Sequence, residues 1–229
     1  MSSKLIIALD YPTAEQALSF VKGLSPELCK LKVGFELFVA AGPDFVKSLV
    51  DQGYDVFLDL KFHDIPNTVA SACKSAANLG VWMMNVHASG GDKMMRAAKQ
   101  ALSDINSPAK LIAVTVLTSM DKGQLESSNV VLSPQDQVKS LARLTKDSGL
   151  DGVVCSAQEA KMLRDQIGKD FLLVTPGIRP KGAEIGDQSR VMTPAEAGVA
   201  GVSYIVVGRP ITQSETPLKV IELINNDLL

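Results

Sequence analysis

The chain has 229 residues, 46% of them hydrophobic and 21% charged, which suits one large core and a single domain over residues 1–229. Its 23 basic and 25 acidic residues leave a formal net charge of -2, so nothing in the charge balance calls for a nucleic-acid or anionic membrane partner, and a small-molecule substrate is expected instead. The apolar run Leu5-Ile6-Ile7-Ala8-Leu9 is stopped by Asp10, too early for a secretory or membrane-spanning segment. Cys29, Cys73 and Cys155 are odd in number and lack metal-ligand spacing, as expected of buried thiols in a cytoplasmic protein.

Leu5 to Leu9 reads as a strand. Pro12 then stops it, and Thr13 can cap a helix running through Leu24. Cys29 to Val33 is a second strand, with a helix from about Pro43 to Gln52, and Asp55 to Asp59 is a third, with a helix from about Asn67 to Leu79. Trp82 to His87 precedes Gly90-Gly91 and a helix to about Ser103. Lys110 to Val116 precedes a longer loop and a helix from Pro134 to Lys146. Gly152 to Cys155 leads to a helix from Ala157 to Gln166, Phe171 to Val174 to a Gly-rich polar loop, and Tyr204 to Val207 to Gly208-Arg209-Pro210. Eight strand candidates alternating with helices predict an α/β fold of the closed (β/α)8 TIM-barrel type, whose usual size is about 250 residues. The alternative is an open doubly wound sheet, which the missing Gly-x-Gly-x-x-Gly after the first strand disfavours.

Such barrels carry their sites at the C-terminal strand ends. In order, those ends hold Asp10, Lys32, Asp59 with Lys61, His87, Thr118 with Ser119, Pro176 with Arg179, and Gly208 with Arg209. The opposite ends carry Lys4, Asp55 and Lys110, which read as solvated strand starts.

The densest of these positions is Asp59-Leu60-Lys61-Phe62-His63-Asp64-Ile65-Pro66-Asn67-Thr68. Strand alternation puts Asp59 and Lys61 on one face, with Asp64 in the turn beyond, where Asn67 or Thr68 can start a helix. A lysine between carboxylates is expected to stay protonated, hence an acid rather than a Schiff-base nucleophile. The bland reading is an ion pair that tidies a loop. Gly208-Arg209 after the last strand suits a phosphate, with a plain turn as the alternative. The loop from Pro176 to Arg190, with Arg179 and Gln188, is either a ligand lid or an ordinary solvated loop. His87 is either a general base or a neutral hydrogen-bonding support, and His63 is expected in a packing role.

The Asp59 to Thr68 stretch closely resembles the signature of the orotidine 5′-monophosphate decarboxylase family. Ala8-Leu9-Asp10, Leu31-Lys32-Val33-Gly34, Asn85-Val86-His87-Ala88, Val116-Leu117-Thr118-Ser119, Thr175-Pro176-Gly177-Ile178-Arg179 and Val207-Gly208-Arg209 extend the resemblance along the chain. It implies decarboxylation of orotidine 5′-monophosphate to UMP without metal or organic cofactor. Lys61 would protonate C6 within a network of Lys32, Asp59, Lys61 and Asp64. It further implies a homodimer with shared sites, in which Asp64 and Thr68 serve the neighbour's ligand. Asp10 and Lys32 would meet the ribose, Thr118 and Ser119 the base, and Gln188, Gly208 and Arg209 the phosphate, with Pro176 and Arg179 in the closing region. A magnesium-dependent sugar-phosphate decarboxylase or aldolase of the same suprafamily shares Asp-x-Lys-x-x-Asp but holds its metal partly through an acid on the second strand, where this chain has Lys32. A catalytically silent phosphate-binding barrel would be expected to lack part of the charged network.

Overall fold

The first strand, β1 (Leu5–Ala8), lies between β2 (Lys30–Val33) and β8 (Tyr204–Val207), parallel to both, so the ends of the sheet meet. β3 (Val56–Phe62), β4 (Met83–His87), β5 (Lys110–Val114), β6 (Gly152–Val154) and β7 (Leu172–Thr175) complete a closed barrel in sequence order. The computed structural model describes residues 3–181 and 191–228. It is a (β/α)8 barrel, as the strand-helix alternation predicts.

Each strand is covered on both faces. In β1, Ile6 and Ala8 join Phe57, Met83, Ile112, Val174 and Val206 inside the barrel, while Leu5 and Ile7 pack outward against helices. Hence the strands read as apolar runs rather than as an alternation of apolar and polar residues. At the N-terminal end of the barrel the buried Lys30 ammonium pairs with Asp55 at 2.5 Å and sits 4.6 Å from the centre of the Trp82 ring, which meets Tyr204 edge-on. Asp55 is therefore half of an ion pair at the barrel floor, not simply a solvated strand start.

The helices are α1 (Ala14–Val21), α2 (Phe35–Asp51), α3 (Pro66–Asn78), α4 (Gly91–Asp104), α5 (Lys122–Ser127), α6 (Pro134–Asp147), α7 (Ala157–Ile167), α8 (Pro194–Val199), α9 (Arg209–Thr212) and α10 (Pro217–Asp227). Thr13 caps α1 as expected, its side chain accepting from the Gln16 N–H. α2 starts eight residues before the expected Pro43 and is broken at Gly42, whose φ of 71° leaves the helical region. α3 begins at Pro66 itself, without the side-chain cap expected from Asn67 or Thr68. α5 fills part of the loop expected after β5, closed by a reciprocal Asp121–Gln124 capping box. The three cysteines are buried, and burial pushes the Cys29 and Cys73 thiols up to about 12, leaving them protonated and unreactive. Among the described residues no helix is long and apolar enough to cross a membrane.

Candidate active site

The ends of β1, β2 and β3 bring four charges into a row. Lys61 Nζ lies 2.7 Å from Asp59 Oδ1, Asp59 Oδ2 lies 3.5 Å from Lys32 Nζ, and Lys32 Nζ lies 3.3 Å from Asp10 Oδ1. Gly208 at the end of β8 continues the row, since a β-carbon there would stand 3.6 Å from Asp10 Oδ2. The row is graded in exposure: the Asp59 side chain is 13% exposed and that of Asp10 is 63%, so screening is weak at one end and strong at the other. Burial pushes the Asp59 carboxyl up, but Lys32, Lys61 and the hydrogen bonds from Lys61 and Asn85 outweigh it and hold the group below the usual carboxylate range.

Three members of the row, Lys32, Asp59 and Lys61, line a cavity of about 160 Å³. They line it together with the apolar Val114, Val116, Leu117, Val154 and Val206, and with Thr118 and Pro176. A lining of both charged and apolar side chains suits a flat polar ring whose reactive position points at the charges. Ser119 is exposed and outside the lining. Beyond β7, Arg179 is held by an N–H bond to the Met192 carbonyl. Burial lowers the pKa of its guanidinium, and the repulsion of Arg209 lowers it further, so the two cationic side chains after β7 and β8 feel one another. Gln188 lies outside the described residues, as does the rest of the expected lid from 182 to 190.

Two expectations about the motif need amendment. Lys61 does not lie in regular alternation: its φ is +47°, and the β3–β4 register slips between Leu58 and Phe62. The bulge, not the pleat, delivers its ammonium to Asp59. Asp64 does not flank Lys61 within the chain. It is exposed, Oδ1 accepts from the Ile65 N–H at 2.6 Å, and among the described residues no ion pair joins it to either lysine. Thr68, in the first turn of α3, is exposed as well.

Asn85, named only within the fourth-strand resemblance, is the residue the charge-based reading misses. Fully buried in β4, it donates Nδ2 to Asp59 Oδ1 and accepts the Lys61 N–H through Oδ1, both at 2.7 Å. The available signal was a lone amide in the apolar run Met83-Met84-Asn85-Val86, since a buried amide must find partners. His87 is half-buried 5.5 Å from the ring of His63. Burial, then His63 and Lys61, lower its pKa against the opposing pull of Asp59, which favours the neutral support over a charged role. Phe35, 54% exposed, lies 5.1 Å from the Lys61 ammonium.

Comparison with known proteins agrees with this geometry. A sequence model of the Orotidine 5'-phosphate decarboxylase / HUMPS family matches residues 3–224. The chain is 59% identical over 228 residues to the orotidine 5'-phosphate decarboxylase of Pseudoalteromonas translucida, covering 99% of this chain and 97% of that protein. It is 56% identical to that of Vibrio cholerae, covering 99% and 98%. The crystal structure of orotidine 5'-phosphate decarboxylase from Lactobacillus acidophilus superposes with a TM-score of 0.87 at 43% identity, covering 99% of each chain. The chain therefore belongs to the orotidine 5'-phosphate decarboxylase / HUMPS family.

Proposed function

We propose that the chain decarboxylates orotidine 5′-phosphate to UMP and carbon dioxide in pyrimidine biosynthesis, as a single-domain cytoplasmic enzyme. The observation that carries this reading is Lys32, a buried cation on β2 within 3.5 Å of Asp59 and 3.3 Å of Asp10. In a metal-dependent sugar-phosphate enzyme of the same family an acid would stand there, and an ammonium in its place repels a divalent ion.

In this reading the charged row maps onto the nucleotide. The base lies in the small cavity against Lys61, Thr118 and Pro176, and Asp10 and Lys32 meet the ribose. Gly208, Arg209 and Arg179 take the phosphate, with Gln188 assigned there from the family resemblance. Breaking the bond from C6 to the carboxylate releases carbon dioxide and leaves the electron pair on C6. Lys61 then transfers a proton from Nζ to C6 and is reprotonated from solvent. Its positive charge stabilises the carbanion before the transfer, in a site only partly open to water. Asp59, close to the substrate carboxylate, raises the energy of the bound ground state, and phosphate contacts remote from C6 hold the substrate against that repulsion. The apolar side chains of the lining are suited to the uncharged product gas.

Asp64 and Thr68 enter only if a second copy docks. Both are exposed, as is the neighbouring Ile65 at 67%, and Phe35, 5.1 Å from the Lys61 ammonium, and Val39 one turn along α2 are 54% and 84% exposed, apolar surface that a homodimer would cover. Asp64 from the partner copy would then complete the carboxylates around Lys61.

The experiment is loss of orotidine 5′-phosphate absorbance by purified protein in excess chelator, with UMP identified as product. Turnover there is expected. Turnover that needs added magnesium would favour the sugar-phosphate reading, and nucleotide binding without turnover a silent barrel.

A further inference from the structure

We propose that Asn85 is a positioning residue for this reaction, setting the Lys61 backbone and the Asp59 carboxylate relative to each other; the proposal rests on the decarboxylase reading of the site. Leu58 pairs with Met84 and Phe62 with Val86, so Asp59, Leu60 and Lys61 all lie opposite Asn85 alone. A strand with two extra residues loses its ladder bonds there, and a buried N–H left without an acceptor is costly. The Asn85 side chain occupies the gap and accepts the Lys61 N–H at 2.7 Å.

Its orientation is unambiguous. A backbone N–H can only donate and an ionised carboxylate can only accept, so Oδ1 must face Lys61 and Nδ2 must face Asp59. One rigid amide thus binds the main chain of the lysine and the side chain of the aspartate. Lys61 needs such a restraint. Among the described residues the other non-glycine positions with positive φ are Asn106 and Asn129, of the type that tolerates it, whereas Lys61 at +47° is not. Asp59 Oδ1 accepts from both Asn85 Nδ2 and Lys61 Nζ at 2.7 Å, while Oδ2 faces Lys32. The carboxylate is therefore held by two hydrogen-bond donors and one ion pair from three strands.

Two near-isosteric variants separate positioning from simple packing. Asn85→Leu removes both bonds and should lower kcat by about tenfold to a hundredfold, the range expected for a lost bond to a charged group, with UMP affinity within about threefold of wild type. Asn85→Asp keeps the acceptor for Lys61 but sets a carboxylate against Asp59, so its kcat relative to wild type should recover as pH falls from about 8 to about 5.5 and the introduced carboxyl regains a donor proton. A folded Asn85→Leu with kcat within about twofold of wild type would overturn the proposal, as would equal losses in kcat and UMP affinity. Should Asn85→Leu not fold, a pH-independent ratio for Asn85→Asp overturns it alone. Wild-type protein inactive on orotidine 5′-phosphate would defeat the functional reading instead. The Asn85 claim would then be judged by ¹³C titration of the Asp59 carboxyl, whose pKa should rise in Asn85→Leu and would stay put if the contact were idle.

Discussion

Replacing Asp59 by asparagine removes one charge from the middle of the row at almost constant shape, which makes its cost calculable. The carboxylate faces Lys61 at 2.7 Å and Lys32 at 3.5 Å, with side-chain exposures of 13%, 24% and 11% for the three groups, so solvent screens the cluster only partly. At an effective dielectric constant of about 20 these contacts are worth roughly 6 and 5 kcal/mol gross. Withdrawing the ions from water offsets most of that, and removing one member of a buried ion cluster typically costs about 3–5 kcal/mol. Asp10 contributes little in compensation, because its side chain is 63% exposed. Asp59→Asn should therefore lose about 3–5 kcal/mol at neutral pH, a drop in Tm of roughly 6–20 °C for a chain of this size. Urea unfolding at fixed protein concentration, followed by circular dichroism, measures it. An unfolding free energy unchanged to within about 0.5 kcal/mol, or raised, would refute the claim that the two ammonium groups depend on this carboxylate.

Arg209→Ala should raise KM by about tenfold to a hundredfold with a smaller effect on kcat, the loss of a charge-assisted phosphate contact, and steady-state kinetics with an unchanged KM would remove Arg209 from the site. Neither Lys61→Ala nor Asp64→Ala should be active alone. Their random mixture should recover about a quarter of wild-type activity, because half of the dimers carry one intact shared site, and verified heterodimers that stay inactive would count against sharing. His87 has a folded pKa below its unfolded value, so the unfolded state takes up the proton first as pH falls. Its contribution to stability is thus present above about pH 6.5 and lost below it, and His87→Gln should flatten the decline in urea midpoint between about pH 7.5 and 5.5. An equally steep decline in the variant would assign the acid sensitivity elsewhere.

The barrel was readable in the sequence because parallel strands buried on both faces become short apolar runs, and the punctuation around them is strong: Pro12 after β1, Gly90-Gly91 after β4, Gly208 after β8. The charged rim was readable for the same reason, since Asp10, Lys32, Asp59 and Lys61 interrupt or terminate those runs. What the pattern does not encode is local backbone geometry. Gly42-Pro43 has the composition of a helix start, and only the coordinates reveal an earlier turn joined to it across a kink. The β3 bulge leaves no compositional mark, because Lys61 occupies a left-handed conformation usually given to Gly or Asn. Asn85 was overlooked because its importance lies in two contacts across strands rather than in charge. Asp55 reads as a solvated strand start because nothing in the pattern shows the long Lys30 side chain folding beneath the barrel to meet it.

In the proposed reaction Lys61 hands its proton to C6, and the decisive measurement is single-turnover decarboxylation by Lys61→Ala in a preparation shown to bind UMP. A fall of at least about a thousandfold in rate is predicted, with UMP affinity retained to within about tenfold. Decarboxylation at a near-wild-type rate by that variant would contradict it.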